Sequence, residues 1–575
     1  MTYRPEIRGQ RGIVAGGRHY SVAAGTRILQ AGGNAVDAGV ATVFAAAVVE
    51  ISHFGFGGEA PTIICDGRSG EVVVINGQGP APLGASPELF ASRGSVDGNG
   101  PLAATIPAVM DAMAIALERF GTLRLAEVMA PAIELADGFP MYGFLRELMI
   151  THRRATEQWE WSKRTYYPDN EVCQVGELFR QANLAATLRA IVAAESTEYA
   201  RSRDRSAAIR AGREDFYCGD TARRIVAANR AAGGVFTNAD MADFHGQIET
   251  SATTRFHDYD IHKAGPWNQG PVLLQTLNLL EGFDLAAMGH NGVEHVHTTH
   301  EAIKLAYADR NAYYGDPEFA AIPMQGLLSK DYADERRKLI GTQASLEHRP
   351  GNPFAFDDCV PEPAVRYSPH SQGAPAASGS GDTTCVCAVD EHGTLFSSTP
   401  SSGWLLNGAF IAGDTGVPMS NRMQVFDLDA ASPNVLVGGK RPRTTLSPTV
   451  VTRDGKPFLA LSTPGGDNQD QQILNVLLGM LVFDLELQPA LEAPRFNSLH
   501  PHLSFGTHES QPGVLEIEDR VDATVRAELS EHGHRLNLLG PYGVSTGVVA
   551  VGVDPRAGTL RGGADVRRER YAFGW

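Results

Sequence analysis

The stretch GDTTCVCAVDEHGTLFSST, residues 381–399, has the pattern of a β-hairpin that follows a loop. Residues 383 to 389 form a run of β-branched and apolar residues, and residues 394 to 399 give the returning strand after a turn. The preceding residues, 360 to 382, are mostly small residues and turn formers, which predicts an exposed loop. Thr383 is therefore expected at the first position of a strand, directly after a loop.

A hydroxyl residue at this position suits self-cleavage. The Thr383 hydroxyl would attack the Asp382 carbonyl, the acyl group would move from nitrogen to oxygen, and water would release a new N-terminus. The new α-amine, with an ordinary pKa of about 7.7 to 8.0, would then act as base for its own hydroxyl. The pattern also suits plain β-propensity, since threonine favours strands. From these residues alone, both interpretations stay open.

The whole chain has 575 residues, of which 43% are hydrophobic and 20% charged, as in a globular protein with a sizeable core. This length predicts two to four domains or one large layered body. With 49 Lys and Arg against 66 Asp and Glu, the net charge is −17. Because this charge repels a phosphate backbone, we expect no nucleic-acid partner.

The expected compartment follows from cysteine usage and from the apolar segments. Six cysteines without CxxC spacing do not make a disulfide scaffold, which indicates a reducing compartment. Residues 1–11 show no signal peptide pattern. Residues 36–51, interrupted by Asp37 and Gly39, fall short of the roughly 20 residues that span a bilayer and predict a buried helix. We expect a soluble cytoplasmic protein with no membrane partner.

Helical and strand patterns segregate along the chain. Helical periodicity dominates from 104 to 330, whereas hairpin patterns occur near 62–75 and 448–462. This arrangement predicts the α+β class, with sheets covered by helices, rather than a doubly wound nucleotide fold. P-loop, dinucleotide, lipase, zincin and EF-hand motifs are absent from the sequence, so no cofactor is predicted.

Eight segments, in order along the chain, resemble the γ-glutamyltransferase family of N-terminal nucleophile (Ntn) hydrolases, and the resemblance covers nearly all 575 residues. The segments are GGNAVDAGVA (32–41), the glycine loop Gly55 to Gly58, FYCGDTARRI (216–225), AYADRNAYYGDP (306–317), the hairpin and its continuation (381–426), GKRPRTTLSPTVV (439–451), STPGGDNQ (462–469) and LEAPRFN (491–497).

The resemblance implies a four-layer αββα sandwich, the fold of Ntn hydrolases. It implies a proenzyme cut into a large subunit, residues 1–382, and a small subunit, residues 383–575, which share one interleaved body. The cut would lie between Asp382 and Thr383. Each subunit would be the other's partner, and homodimer formation is left open.

The resemblance also assigns catalytic roles. Thr383 matches the family's nucleophile, and Gly465 and Gly466 match the glycine pair whose backbone N–H groups form the oxyanion hole. Ser401 matches a hydroxyl residue that supports the new amino terminus, and Thr399 lies one alternation away on the same strand face. Ser401 and Thr399 are also ordinary residues for a hairpin, and this alternative stays open.

The chain departs from the family where a γ-glutamyl group would bind. Residues 79–86 lack the family's carboxylate-binding arginine, which Arg93 would have to replace. Two serines are replaced by Thr444 and Thr445. Val425 stands in place of the amine-binding aspartate, and Arg422 in place of an amide residue. A site that loses an anion and gains a cation no longer favours an α-ammonium.

These departures suggest an amide of a small anionic acyl group without an α-amine. Arg422, Thr444 and Thr445 would hold its carboxylate through charge-assisted hydrogen bonds. The alternative for Arg422 is a surface position. Within the family, the oxamate amidohydrolase-like and cephalosporin acylase-like branches are the natural comparisons.

Three histidines, His295, His297 and His300, have spacing that resembles metal ligands. His297 and His300 share a helix face and His295 lies off it, so a cluster on the helix surface is favoured and no metal site is predicted. Cys385 and Cys387 point to one face of their strand and are expected to be buried core residues rather than a redox pair.

The sequence thus predicts a self-processing Ntn amidohydrolase that forms an acyl-enzyme on Thr383 and acts on a small-molecule amide. One alternative keeps this chemistry for γ-glutamyl transfer or glutathione hydrolysis. The other is a homologue that does not process itself and serves as a binding or scaffold protein.

Overall fold

The computed structural model describes residues 2–364, 366–371, 383–408 and 410–575. Asp382, the residue predicted to precede the cut, lies outside the described residues, as do residues 372–381 of the predicted loop.

The strands are β1 (Ile7–Gly9), β2 (Gly12–Gly16), β3 (Thr62–Cys65), β4 (Val72–Asn76), β5 (Phe139–Pro140), β6 (Leu178–Phe179), β7 (Gln247–Thr250), β8 (Ala252–Phe256), β9 (Tyr259–Lys263), β10 (Val386–Asp390), β11 (Leu395–Ser398), β12 (Thr449–Arg453), β13 (Lys456–Ser462), β14 (Phe496–Ser498), β15 (Val514–Glu518), β16 (Arg535–Leu539), β17 (Val549–Asp554), β18 (Thr559–Ala564) and β19 (Tyr571–Gly574).

The α-helices are α1 (His19–Gln30), α2 (Ala35–Val49), α3 (Val109–Phe120), α4 (Leu125–Asp137), α5 (Gly143–Thr151), α6 (Arg153–Thr156), α7 (Glu160–Tyr166), α8 (Ala182–Ser202), α9 (Arg205–Cys218), α10 (Asp220–Ala231), α11 (Asn238–Ala242), α12 (Pro271–Leu280), α13 (Leu285–Met288), α14 (Val293–Tyr313), α15 (Met324–Leu327), α16 (Lys330–Arg337), α17 (Gln469–Leu481), α18 (Leu487–Glu492) and α19 (Ala523–Glu531).

Two antiparallel sheets, each of seven strands in the described residues, form the centre of the fold. Sheet 1 has the order β1-β18-β17-β13-β12-β9-β8, and sheet 2 has the order β19-β2-β10-β11-β3-β4-β7. The predicted hairpin β10–β11 lies in the middle of sheet 2, where β10 pairs with β2 and β11 pairs with β3. The strand after Thr383 is therefore held on both sides.

Apolar side chains fill the space between the two sheets. Cys385 and Cys387 are fully buried there, as predicted, and pack with residues of sheet 1 such as Val450, Ala460 and Val549. Neither cysteine forms a disulfide within the described residues. The two sheets therefore share one core, as in sheet-on-sheet packing.

Helices cover the outer face of each sheet. Helix α2 is buried at every residue and packs with β10 and β11 of sheet 2. Helices α12, α14 and α17 bury their apolar side chains with those of β12 and β13 on the other side. Helix, sheet, sheet and helix thus form four layers, which confirms the α+β class and the αββα arrangement.

The predicted hairpins near 62–75, 383–399 and 448–462 are confirmed, as is the buried helix in residues 36–51. One boundary differs, because β10 begins at Val386 and Thr383 lies three residues before it. Among the described residues, no helix has the length and apolar character needed to span a membrane.

Candidate active site

Thr383 lies in a buried position at the entrance to β10. Its side chain is buried, and its Oγ1 lies 3.4 Å from Oγ of Ser401. The backbone N–H of Thr384 donates to the carbonyl of Pro400 at 3.1 Å, which holds the two segments together. The structure therefore brings the predicted nucleophile next to the hydroxyl residue predicted to support it.

Thr384, the residue after the predicted nucleophile, lies near the carboxylate of Glu50. An ideal Cβ placed on Gly17 would lie 2.5 Å from Oγ1 of Thr384 and 2.2 Å from Oε2 of Glu50, so these groups converge where Gly17 has no side chain. Glu50 also contacts Nε2 of His53 at 3.3 Å. Burial alone would raise the pKa of Glu50, but the His53 hydrogen bond and nearby positive charges lower it below its ordinary value.

The predicted oxyanion glycines follow the end of β13. Gly465 has φ of 130° and Gly466 has φ of 58°, values that favour glycine. At the end of β13, Oγ of Ser462 donates to the Ser398 carbonyl and lies 2.8 Å from Oγ1 of Thr399. Thr399 therefore ties the strand before the glycine loop to the segment that leads into Ser401.

A buried ion pair supports the glycine loop from behind. Asp467 pairs with Arg310 and accepts hydrogen bonds from N and Oγ of Ser504 at 2.9 and 2.6 Å. Burial alone would raise the pKa of Asp467, but the Arg310 charge and the Ser504 hydrogen bonds lower it. The sequence analysis missed this pair, because its members lie in two separate family segments and no pattern links them.

Arg422 is buried and bound to a carboxylate that the sequence analysis missed. Its Nε donates to Oε1 of Glu59 at 2.7 Å, and its side chain is only 1% exposed, so the surface alternative is wrong. Glu59 and Ser401 exchange two backbone hydrogen bonds of 2.8 and 2.9 Å. Arg422 is thus linked through Glu59 and Ser401 to Thr383. The sequence feature that could have pointed to Glu59 is its position as a lone acidic residue directly after the Gly55 to Gly58 loop.

The charge of Arg422 is compensated to an extent that depends on pH. Burial raises the pKa of Glu59 to about 7, even though the Arg422 charge and hydrogen bond lower it. In the described structure, Oε2 of Glu59 has no hydrogen-bond partner. Near neutral pH the Glu59 carboxyl group therefore exists in both protonation states beside the guanidinium.

Thr444 and Thr445 lie close to the glycine loop. The Thr444 carbonyl accepts from N of Gln269 at 2.8 Å, and Nε2 of Gln269 donates to the Gly466 carbonyl at 3.4 Å. Both threonines are buried, and Oγ1 of Thr445 has no hydrogen-bond partner in the described part of the chain. The backbone of Thr444 is therefore linked to the glycine loop through Gln269.

Two further positions bear on the predicted acyl pocket, which is the set of Arg422, Thr444, Thr445 and Val425. Val425 is fully buried and apolar, so the amine-binding position holds no charge. Arg93 is exposed and pairs with Asp97 at 3.6 Å. Its predicted role as a replacement arginine has no support in this position.

The predicted histidine cluster is buried rather than on a helix surface, so that expectation is wrong. Nδ1 of His297 lies 2.8 Å from Nε2 of His534, and Nδ1 of His300 lies 3.0 Å from Nδ1 of His534. Burial lowers the pKa of His534 to about 3, so the ring is neutral. His297, Glu301 and His534 lie close enough together to hold a metal ion. The carboxylate of Glu301, however, is already bound by two cations, Lys304 and Arg349.

A two-sheet sandwich covered by helices, with a buried threonine at the entrance to a central strand, defines an Ntn hydrolase. The chain belongs to the Gamma-glutamyltranspeptidase family, which matches residues 21–575.

Two relatives and one solved structure support this assignment along the whole chain. The glutathione hydrolase proenzyme of Bacillus subtilis (strain 168) is 29% identical over 586 residues, covering 100% of this chain and 93% of the relative. The Acylase ACY 1 proenzyme of Pseudomonas sp. (strain V22) is 30% identical, covering 97% of this chain and 92% of the relative. The crystal structure of cephalosporin acylase from Bacillus halodurans has a TM-score of 0.85 and 27% identity, covering 100% and 98% of the two chains. The chain is therefore an amide-cleaving enzyme of this family.

Replacing Gly465 with alanine tests the oxyanion loop. An ideal Cβ there meets the Ser545 carbonyl at 3.0 Å and needs φ of 130°, so Gly465→Ala should displace the loop. We expect kcat for release of 4-nitroaniline from an acyl 4-nitroanilide to fall about 100-fold, with KM changed less. Gly455→Ala is the matched control, because it has φ of 71° in a hairpin turn with open space around it. Equal losses in both variants would contradict a role for the loop in catalysis.

Replacing Glu59 with glutamine tests the charge beside Arg422. Protonation of Glu59 below pH 7 leaves the Arg422 charge uncompensated, so an anionic acyl group should be favoured at low pH. In the wild type, kcat/KM for succinyl 4-nitroanilide relative to neutral butyryl 4-nitroanilide should fall about tenfold as the pH rises through about 7. The ratio cancels the titration of the α-amine, which affects both substrates.

In Glu59→Gln this ratio should stay high at every pH. Glu391→Gln, which changes an exposed residue at the far end of the β10–β11 hairpin, should keep the wild-type profile. A Glu59→Gln enzyme with an unchanged pH profile would show that Glu59 does not control the charge of the acyl pocket.

Proposed function

We propose that the chain is a self-processing amidohydrolase that is cut between Asp382 and Thr383 and hydrolyses the amide of a small anionic acyl group. The observation that carries the proposal is the buried Thr383 hydroxyl 3.4 Å from Ser401, at a strand entrance tied by Thr399 and Ser462 to the glycine loop. The comparisons support the family chemistry, and the substrate rests on Arg422, Thr444, Thr445 and Val425.

The proposed reaction has two halves. The free α-amine of Thr383 takes the proton of its own hydroxyl as Oγ1 attacks the amide carbon. Backbone N–H groups of Gly465 and Gly466 stabilise the oxyanion. The leaving amine then takes the proton and the C–N bond breaks, which leaves an ester on Thr383. Water, deprotonated by the same amine, attacks the ester carbon; the bond to Oγ1 then breaks, Oγ1 takes the proton from the amine, and the carboxylic acid is released.

The acyl pocket is proposed to hold a carboxylate rather than an amino acid. Arg422 donates from one side, and the Thr445 hydroxyl has no other partner in the described residues. Val425 offers no anion for an ammonium group, and burying an ammonium without a partner costs several kcal/mol. γ-Glutamyl transfer is therefore the weaker candidate for this site.

The cut itself is tested by denaturing electrophoresis. Wild-type protein should give two fragments, of 382 and 193 residues, whereas Thr383→Ala should remain one chain of 61.5 kDa. Thr384→Ala is the matched control, because its hydroxyl lies against Glu50 and it should still be cut. A wild-type chain that stays intact would favour a binding or scaffold protein instead.

Substrate choice is tested with a panel of 4-nitroanilides. The succinyl compound should give kcat/KM at least about tenfold above the γ-glutamyl and butyryl compounds, since only it pairs a carboxylate with Arg422 without burying an ammonium. Equal or faster turnover of the γ-glutamyl compound would reject the proposed acyl group and support a glutathione hydrolase or γ-glutamyltransferase.

A cytoplasmic location stays a prediction from the cysteine usage, and homodimer formation stays open. Cell fractionation and light scattering of the purified enzyme would decide them.

A further inference from the structure

Lys263, the last residue of β9, is a completely buried cation outside the groups that the proposed reaction uses. Its Nζ donates to Oγ1 of Thr449 at 2.7 Å and to Oγ of Ser447, and it pairs with Oδ1 of Asp470 at 2.8 Å. An ammonium group has three N–H donors, so these three side chains satisfy it fully. All three are themselves buried.

Asp470 connects Lys263 to the glycine loop. It lies in the first turn of α17, four residues after Gly466. Its Oδ1 also accepts a hydrogen bond from Oγ of Ser447. The buried cation is therefore bound to the start of the helix that follows the predicted oxyanion donors.

Ser447 and Thr449 connect Lys263 to the segment that carries the predicted substrate hydroxyls. Ser447 ends this threonine segment, residues 444–447, and Thr449 begins β12. The backbone N–H of Thr449 donates to Oγ of Ser397 in β11 at 3.2 Å. The same cation is thus bound to the threonine segment and, through one further hydrogen bond, to the hairpin that follows the nucleophile.

The stem of Lys263 lies against the loop that follows β9. An ideal Cβ on Gly270 would lie 2.9 Å from Cε of Lys263, so the stem passes where Gly270 has no side chain. In the same loop, Nδ2 of Asn268 donates to the Leu446 carbonyl, and Gln269 joins the threonine segment to the glycine loop. Lys263 and this loop therefore contact both parts of the site from one side.

The cation and its acceptors come from different predicted subunits. Lys263 belongs to residues 1–382, whereas its three acceptors belong to residues 383–575. The predicted nucleophile, the glycine pair and the two threonines also lie in the second range. Lys263 is therefore a contact through which the first predicted subunit can position groups of the second.

Burial is costly for an ion pair of this kind. It lowers the pKa of Lys263, and the Asp470 carboxylate opposes this shift. Because the desolvation of two charges offsets their attraction, replacing a buried pair with uncharged residues often leaves stability unchanged. What the pair supplies is a fixed geometry, since the ammonium is fully satisfied only when all three acceptors converge on it.

We propose that Lys263 is a positioning residue that holds the threonine segment and the glycine loop in a fixed relation, so that both act on one substrate. The proposal rests on the proposed function, since it concerns the placement of the same substrate hydroxyls and oxyanion donors. Lys263 acts on the threonine segment through Ser447 and on the glycine loop through Asp470.

A double variant, Lys263→Met with Asp470→Asn, tests the proposal. It removes both charges and leaves neither ion unpaired, so it should fold with a Tm close to that of the wild type. We expect kcat for the acyl 4-nitroanilide that the wild type cleaves fastest, referred to the concentration of cut enzyme, to fall between about 10- and 100-fold, because alignment is lost. Hydrogen exchange, measured by mass spectrometry, should become faster in peptides that cover residues 444–449 and 465–472.

The matched control removes a buried pair of the same kind elsewhere. Lys304 and Glu301 pair within α14, with side chains 2% and 1% exposed. Lys304→Met with Glu301→Gln should keep the wild-type kcat and the wild-type exchange in both peptides. Wild-type kcat in the Lys263 double variant, unchanged exchange in both peptides, or an equal loss of kcat in the control would each overturn the proposal.

The exchange measurement separates this proposal from the proposed function, because it needs no turnover. A wild-type enzyme that cleaves no anilide rejects the proposed function, while faster exchange in the double variant still supports the positioning role. An enzyme that cleaves succinyl 4-nitroanilide, but whose kcat and exchange are unchanged in the double variant, supports the function and rejects the positioning role.

Discussion

The pair of backbone hydrogen bonds between Glu59 and Ser401 is the constraint on which the active site depends. It joins the loop that follows α2 to the segment that follows β11. The side chains of the two residues then make different contacts. Ser401 contacts Thr383, and Glu59 binds Arg422. The loop approaches this closely because three of its four residues, Gly55, Gly57 and Gly58, are glycines. A Cβ on Gly58 would lie 2.1 Å from the Ser402 hydroxyl. Any side chain there would separate the nucleophile from the buried cation.

The two sheets explain why a cut before Thr383 would leave the fold intact. Each sheet takes strands from both predicted subunits. Sheet 2 contains β2 and β3 from the first, and β10 and β11 from the second. A chain divided in this way shares one hydrophobic core, so neither part retains a complete sheet alone. The cut would free the amine of Thr383 while the pairing of β10 with β2, over five residues, holds the new terminus in place.

The sequence predicted the secondary structure and burial of segments in which local periodicity determines both. Alternation along residues 383–399 and the run of alanines in residues 36–49 determine their own secondary structure and burial, and the family segments supplied the order of the layers. Pairings between distant residues were not predicted. Glu59 and Arg422 are 363 residues apart, and no sequence pattern around either residue indicates that the other is its partner. The spacing of His295, His297 and His300 showed which of them share a helix face, but it did not show what that face packs against. His297 and His300 instead contact His534, which directly precedes β16 and is distant in sequence.

The distribution of charge around Thr383 shows why net charge says little about a site. The chain as a whole carries −17, yet the charged residues linked to Thr383 through Ser401 include a buried arginine, Arg422, beside Glu59. In a buried environment a single uncompensated cation interacts more strongly with a substrate than many screened surface carboxylates do. Arg422 carries its own carboxylate, so its attraction for an anion is reduced whenever Glu59 is ionised. The acyl carboxylate of a substrate would therefore be held more strongly in acid, where Glu59 is protonated, than above pH 7, where Glu59 already satisfies the Arg422 charge.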